Sequence, residues 1–271
     1  MKQYVKQTTL RRHLEYLKIN FIIAYKKIFE YKTNVGVGLI AQIFYIGVGI
    51  VFLYLFASNF GDIIGWSLND FIFFFILNDT LWCLGGTFFW NKRLFFGITK
   101  GELNDSLFRP ITPFLGYYFK NLDIIAMVMV ISNLPILFYL FYLIKPNLIQ
   151  FAIIILLSIF IMLSFVLTDY FLNSFEFHFK KTGNMLALIY SATYDFLTNY
   201  PFQYFMQSKF KYFLFLFGTT FTASLIIPIL NNTPVWNLKL QIFILSSLII
   251  LLTIGIYINW KYGLKKYEAF G

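Results

Sequence analysis

Thr33–Ala57 reads TNVGVGLIAQIFYIGVGIVFLYLFA, without a single Asp, Glu, Lys or Arg. As an α-helix rising about 1.5 Å per residue it reaches roughly 37 Å, more than the ~30 Å of a bilayer's hydrocarbon. Four further runs are equally free of charge: Ile124–Leu143, Leu148–Leu167, Tyr212–Leu230 and Ile242–Trp260. Phe71–Trp90 has one Asp and otherwise reads the same way. Across 271 residues, 59% are hydrophobic and 13% charged, with a mean hydropathy of +0.70. A soluble domain carries about 25% charged residues, so this much apolar surface does not fit one aqueous core. The expectation is an all-α membrane protein that crosses the bilayer several times.

Composition also closes off several chemistries. Cys83 is the one cysteine, so neither an intrachain disulfide nor a CxxC site can form. His13 and His178 lie too far apart for metal-ligand spacing, and no metal site is expected. No GxxxxGK[ST] loop occurs, so ATP hydrolysis is not expected within the chain, and neither HExxH nor GxSxG is present. Glu102 and Asp105 share a loop with Arg109 and read more simply as solvated than as a catalytic pair. Nothing points to nucleic acid. The 36 Phe and 19 Tyr fit the codon usage of an AT-rich genome, an aromatic substrate path being the sharper alternative.

Residues 9–30 place Leu10, Leu14, Leu17, Phe21, Tyr25 and Ile28 at steps of three and four, one helical face, with Arg11, Arg12, Glu15, Lys18, Lys26 and Lys27 mostly away from it. Such a basic amphipathic helix before a span suits the headgroup layer, or a soluble helix packed on a partner. No signal peptide is expected here. Most of the 22 basic residues cluster in the N-terminal segment, in the loop after Trp90, at Lys180–Lys181 and after the last span. The Gly61–Ser67 loop has none and the Pro146 turn only Lys145. Both termini are therefore expected in the cytoplasm.

Two regions stay open on residues alone. Between Asn184 and Leu230, Met185–Tyr200 is short and holds Asp195, while Tyr212–Leu230 is long enough to span but contains Pro228. Either 185–200 stays cytoplasmic and 212–230 crosses, or 185–200 crosses and 201–230 dips in and returns. Asp79 lies mid-span between Asn78 and Thr80. An Asp at that depth costs about 3 kcal/mol, which the apolar residues of Phe71–Trp90 offset. It faces the bundle, faces a polar cavity or is protonated: a helix–helix hydrogen bond is the plain reading, a proton or substrate site the sharp one.

The loop Asn91–Pro113 is too long for a simple turn. Its residues are helix-compatible from Ile98 to Phe108 and stop at Pro110 and Pro113, which suits either a docking helix or an ordinary solvated loop. Ile98-Thr-Lys-Gly101-Glu102-Leu103-Asn104-Asp105-Ser106-Leu107-Phe108-Arg109-Pro110 resembles the I-x-x-G-x-L-D-x-x-L-L-R-P signature of type-2 ABC exporter (ABC-2 family) permeases. The chain end GLKKYEAFG is similar to the G-L-R-R-Y-E-S-A-G of one branch, as are Gly65-Trp66-Ser67 before the second span and the marks at Tyr200-Pro201 and Pro228. Asn104 stands in place of the usual Asp, Met206 and Thr219 where prolines are common, and Phe270 for a small residue.

The resemblance implies a single permease domain over 1–271 with six spans, the fifth over 184–200. It implies an elbow helix within 9–30, a cytoplasmic coupling loop over 91–113, and an outer re-entrant pair over 201–230 marked by Pro201 and Pro228. Ile98, Gly101, Glu102, Leu103, Asp105, Leu107, Arg109 and Pro110 would form the surface that couples to an ATPase subunit. ATP and Mg would bind on that partner, as a homodimer or heterodimer, and a second permease copy or a homologue would complete the pathway in the plasma membrane. The alternatives are an ion- or proton-coupled transporter using Asp79 with Asn78 beside it, and a non-transporting membrane anchor for a soluble complex.

Overall fold

The computed structural model describes residues 9–89, 94–120, 122–179, 185–186, 188–193, 214–215, 217–235 and 237–267. Every regular element among them is helical. In chain order they are α1 (Thr9–Glu30), α2 (Lys32–Ile64), α3 (Leu68–Phe89), α4 (Leu94–Thr99), α5 (Asn104–Leu107), α6 (Pro113–Tyr118), α7 (Ile124–Ile144), α8 (Leu148–Ser174), α9 (Thr219–Leu230) and α10 (Leu238–Lys266). Among the described residues five stretches are long and apolar enough to cross a membrane: Lys32–Asn59, Leu68–Phe88, Ile125–Ile144, Leu148–Phe177 and Leu238–Lys266. The protein is a multi-pass helical membrane protein.

α3 is the axis of the bundle. Its apolar window is 78% buried, against 17% for α2. It packs on α2, α7 and α8; α10 lies along α8, and α2 also touches α7. Phe71, Phe73, Phe74 and Phe75 give α3 a bulky surface in every direction, and edge-on rings lock it outward: Phe56 and Trp66 on Phe71, Phe141 on Phe73. By contrast Val37, Ile43, Phe44, Val48 and Val51 of α2 stay exposed, as lipid-facing side chains do.

Local chemistry sets the turns. Gly65 ends α2 at φ +74, a conformation that costs glycine nothing, and its N–H donates to the Gly61 carbonyl. Trp66 then buries against Phe71 and Phe74, and Ser67 donates from its N–H and its hydroxyl to Asp70 at 2.8 and 2.7 Å, opening α3. Gly65-Trp66-Ser67 thus works as a stop, a plug and a cap. At the α7–α8 turn, Asn147 and Gln150 cap each other reciprocally.

α9 differs from the other apolar helices. Its twelve residues reach roughly 18 Å, too short to cross ~30 Å of hydrocarbon alone, and a π-helical turn at Thr222–Ile226 runs into Pro228. Nearly every side chain is buried. The run that sequence reading took as long enough to span is therefore, in its described part, a short enclosed helix. Most of the expected fifth span, together with Pro201, lies outside the described residues.

Close approach at glycine decides one packing test. A Cβ on Gly85 of α3 would lie 2.3 Å from the Phe165 ring of α8, whereas one on Gly47 of α2 would meet nothing within 4 Å. Gly85→Val should lower stability by about 1–3 kcal/mol through overpacking while Gly47→Val leaves it unchanged. Thermal melting of the two detergent-solubilised variants checks this.

Candidate functional site

At the end of the bundle holding the α8 and α10 C-termini, the loop after α3 folds into three short helices, α4, α5 and α6. The single helix expected over Ile98–Phe108 is broken: α4 stops at Thr99 and α5 starts at Asn104. Gly101 at φ +69 makes the break, and the Leu103 N–H donating to the Gly97 carbonyl at 3.0 Å closes it. The turn swings Leu103 fully inward, which a continuous helix would not do.

The eight sequence-predicted coupling residues therefore divide. Ile98 and Leu103 are buried and anchor the loop. Glu102, Asp105, Leu107 and Pro110 face outward, with Gly101 at the turn. Arg109 is half-buried. Phe108, absent from the predicted set, is 88% exposed beside Leu107, an apolar tip between Asp105 and Pro110.

The loop is braced from three sides. From α1, the Tyr16 hydroxyl donates to the Gly116 carbonyl at 3.0 Å and accepts from Arg109 Nη1 at 3.2 Å. The Arg109 guanidinium also lies 5.7 Å from the Tyr16 ring centre. His13 Nε2 accepts from the Thr112 N–H at 3.1 Å. From the far end of the chain, the Tyr267 hydroxyl donates to Asn104 Oδ1 at 3.0 Å, a bond that gives a role to the Asn standing where the family signature has Asp. From within, Lys120 Nζ donates to Asp105 Oδ2 at 2.6 Å. That hydrogen bond and the Lys120 charge, helped by Arg109, hold the Asp105 carboxyl below its usual pKa. Burial, with the Glu102 charge nearby, pushes the Tyr117 hydroxyl up, and burial does the same for Tyr118 beside Tyr170. Phe114 and Tyr118 pack their rings on Tyr170 of α8 and Trp260 of α10.

α1 is amphipathic as expected, but its apolar face is not the one it buries. His13, Tyr16, Asn20 and Ala24 turn toward the protein, while Leu14, Ile19, Phe21, Tyr25 and Phe29 remain exposed. The polar stripe grips the loop, and the apolar stripe stays exposed.

The intramembrane polar residues form a second assembly. Asp79 Oδ2 accepts from Gln42 Nε2 of α2 and Asn133 Nδ2 of α7, each at 2.6 Å. Asn133 also donates to Thr80 Oγ1 at 3.2 Å, and all four residues are buried. One helical step away, Asn78 Oδ1 accepts from the Thr222 hydroxyl of α9 at 2.7 Å, and Ser224 of α9 donates to Gln241 of α10 at 2.6 Å. Asn231 just past α9 donates to Asp70, and Gln150 of α8 to the Ile229 carbonyl and Asn232. Asp79 is thus a helix–helix acceptor, the plainer of its two readings. Its partners are amides from two other helices rather than charged residues. Among the described residues no group of His, Cys, Asp and Glu could hold a metal.

Asn133→Ala removes one of two donors from a buried carboxylate and should cost about 1–2 kcal/mol. The loss should shrink in an Asp79→Ala background, measured as a double-mutant cycle of melting in detergent. The Asp105 pair gives a pH signature. Because its carboxyl is shifted down, its contribution is complete above the ordinary carboxylate range and disappears as pH falls through the lowered value. The melting difference between wild type and Lys120→Gln should therefore be full at pH 6 and shrink only as pH falls below the ordinary carboxylate range.

A family model described as "ABC-2 family transporter protein" matches residues 43–271. Its span takes in α3 to α10 and most of α2, and so includes the braced loop, the Asp79 partner Asn133 and the enclosed α9. No curated protein and no solved structure matches the chain. A match over most of the length, on a bundle of this kind, places this chain in the ABC-2 family of membrane transporter proteins.

Proposed function

We propose that the chain is the permease subunit of an ATP-binding-cassette exporter, driven by nucleotide hydrolysis on a separate ATPase subunit. The family match carries this reading. The loop supports it locally, since Glu102, Asp105, Leu107, Phe108 and Pro110 form an exposed surface on a support fixed at both ends of the chain. A surface meant to receive a mechanical input has to be rigidly attached to what it moves.

On this reading the five described spans are joined by a sixth over 184–200, and 201–230 forms a re-entrant outer segment of which α9 is the returning limb. α1 is the interfacial elbow. The 1–271 chain is one permease domain with both termini in the cytoplasm of a cell whose plasma membrane it crosses. A second copy or a homologue completes the pathway, and two ATPase subunits carrying ATP and Mg sit beneath. Closure of the ATPase pair displaces the Glu102–Arg109 region, and the bundle responds as a two-state rearrangement that opens the path outward. The proton-coupled alternative has less to stand on, because Asp79 Oδ2 is held by amide donors from two other helices, Gln42 of α2 and Asn133 of α7.

Co-expression with a candidate ABC ATPase subunit that it captures tests the docking surface. Glu102→Lys combined with Phe108→Asp should cut ATPase capture and stimulated hydrolysis by at least tenfold without altering the permease's melting temperature. Unchanged capture and turnover in that double variant would show that the coupling surface lies elsewhere.

A further inference from the structure

A groove of about 410 Å³ opens between α6, α8 and α10, apart from the Asp79 network and bordering the support of the braced loop at Thr112, Phe114 and Trp260. Leu167, Ile256, Trp260 and Leu264 give it an apolar floor, Phe114 closes one side, and Lys261 stands at its rim. The volume falls within the roughly 300–1,000 Å³ of small-molecule sites. Along α10 the lining runs from Thr253 to Leu264, eleven steps of about 1.5 Å, or roughly 16 Å. That is close to half of the ~30 Å hydrocarbon layer, so the groove has the length of one leaflet.

Lys261 lines the groove, and Lys265 and Lys266 follow it at the end of α10. Lys261 Nζ lies 5.8 Å from the Tyr257 ring centre and Lys265 Nζ 5.7 Å from that of Tyr262, with Lys266 adjacent. Among the described residues the ion pairs are Arg11–Glu15 and Lys120–Asp105, so no carboxylate there neutralises these three. Trp260, 5% exposed on the groove floor, has an indole N–H that finds no acceptor among the described residues. An apolar slot one leaflet long, headed by lysines and aromatic rings at the membrane surface, has the chemistry of a phospholipid site with an anionic headgroup.

We propose that this groove holds one acyl chain of an anionic phospholipid, with its phosphate on Lys261 and Lys265. The lipid would wedge between α8 and α10 directly beneath Phe114 of α6, and so bear on the support of the exposed loop.

The test uses the full-length protein in detergent and native mass spectrometry, titrated separately with dioleoylphosphatidylglycerol and dioleoylphosphatidylcholine. Wild type should bind the phosphatidylglycerol at least fivefold more tightly. Lys261→Gln and Lys265→Gln should each weaken it about fivefold with little effect on the zwitterionic lipid. Ile256→Trp, which fills the slot, should abolish retention of both, and an unchanged melting temperature would confirm that the fold survives. A photo-crosslinker at Thr253 should label lipid. Equal retention of the two lipids by wild type, or crosslinks from Thr253 to a second copy or to another segment of the chain, would overturn the proposal.

Discussion

In hydrocarbon no water completes an unpaired polar group, so whatever polar side chains a membrane helix carries must find partners inside the protein. α3 carries Asn78, Asp79 and Thr80 in succession, and three successive residues on a helix point in three directions, about 100° apart. Such a helix cannot sit at the lipid boundary. It must be surrounded, and it is: Gln42 reaches it from α2, Asn133 from α7 and Thr222 from α9. The central place of α3 and the arrangement of its neighbours follow from one polar triplet that has to be satisfied from several sides.

The constraint then propagates outward. α9 donates to Asn78 Oδ1 only by being buried itself, and a buried short helix draws its own polar groups into pairs. Ser224 with Gln241 and Gln150 with the Ile229 carbonyl supply those pairs, drawing α10 and the start of α8 into the same framework. Capping repeats the pattern at the end of the bundle, where Asp70 both opens α3 and holds Asn231. A helix interrupted by a π-helical turn and a proline survives here because protein encloses its irregular backbone.

How much of this could be read beforehand depends on range. The spans were legible because hydrophobicity over twenty residues is a property of the sequence itself, and the break in charge at Thr33, Ile124 and Leu148 sits within a residue of the helix starts. The Asp79 interaction was legible in kind but not in partner. Gln42 and Asn133 are polar residues in otherwise apolar runs, which is the signal the sequence carries for them. The loop misled because helix compatibility does not reveal that Gly101 will take a positive φ and turn Leu103 inward. Tyr16, His13 and Tyr267 could not be found at all, since they lie some 90 to 160 residues from the groups they touch, and no local pattern encodes such a contact.

The two assemblies act on different helices. The polar network fastens α2 and α7 to α3 at mid-depth, whereas the loop rests its rings on α8 and α10 through Tyr170 and Trp260 and is tied to α1 through Tyr16. A force applied at Phe108 therefore meets α8, α10 and α1 first, and reaches α2 through α1 as well as through α3. Glycine contacts favour α8 and α10 moving together: Gly255 and Gly263 of α10 admit the rings of Phe171 and Phe177 so closely that no Cβ would fit. Interdigitated surfaces of that kind shift as units rather than shear gradually. α8 also meets α3 closely, where Gly85 admits the Phe165 ring, so a displacement of the α8–α10 pair is passed to the polar-bonded α2–α3–α7 group through that contact, with the loop standing on the α8–α10 side of it.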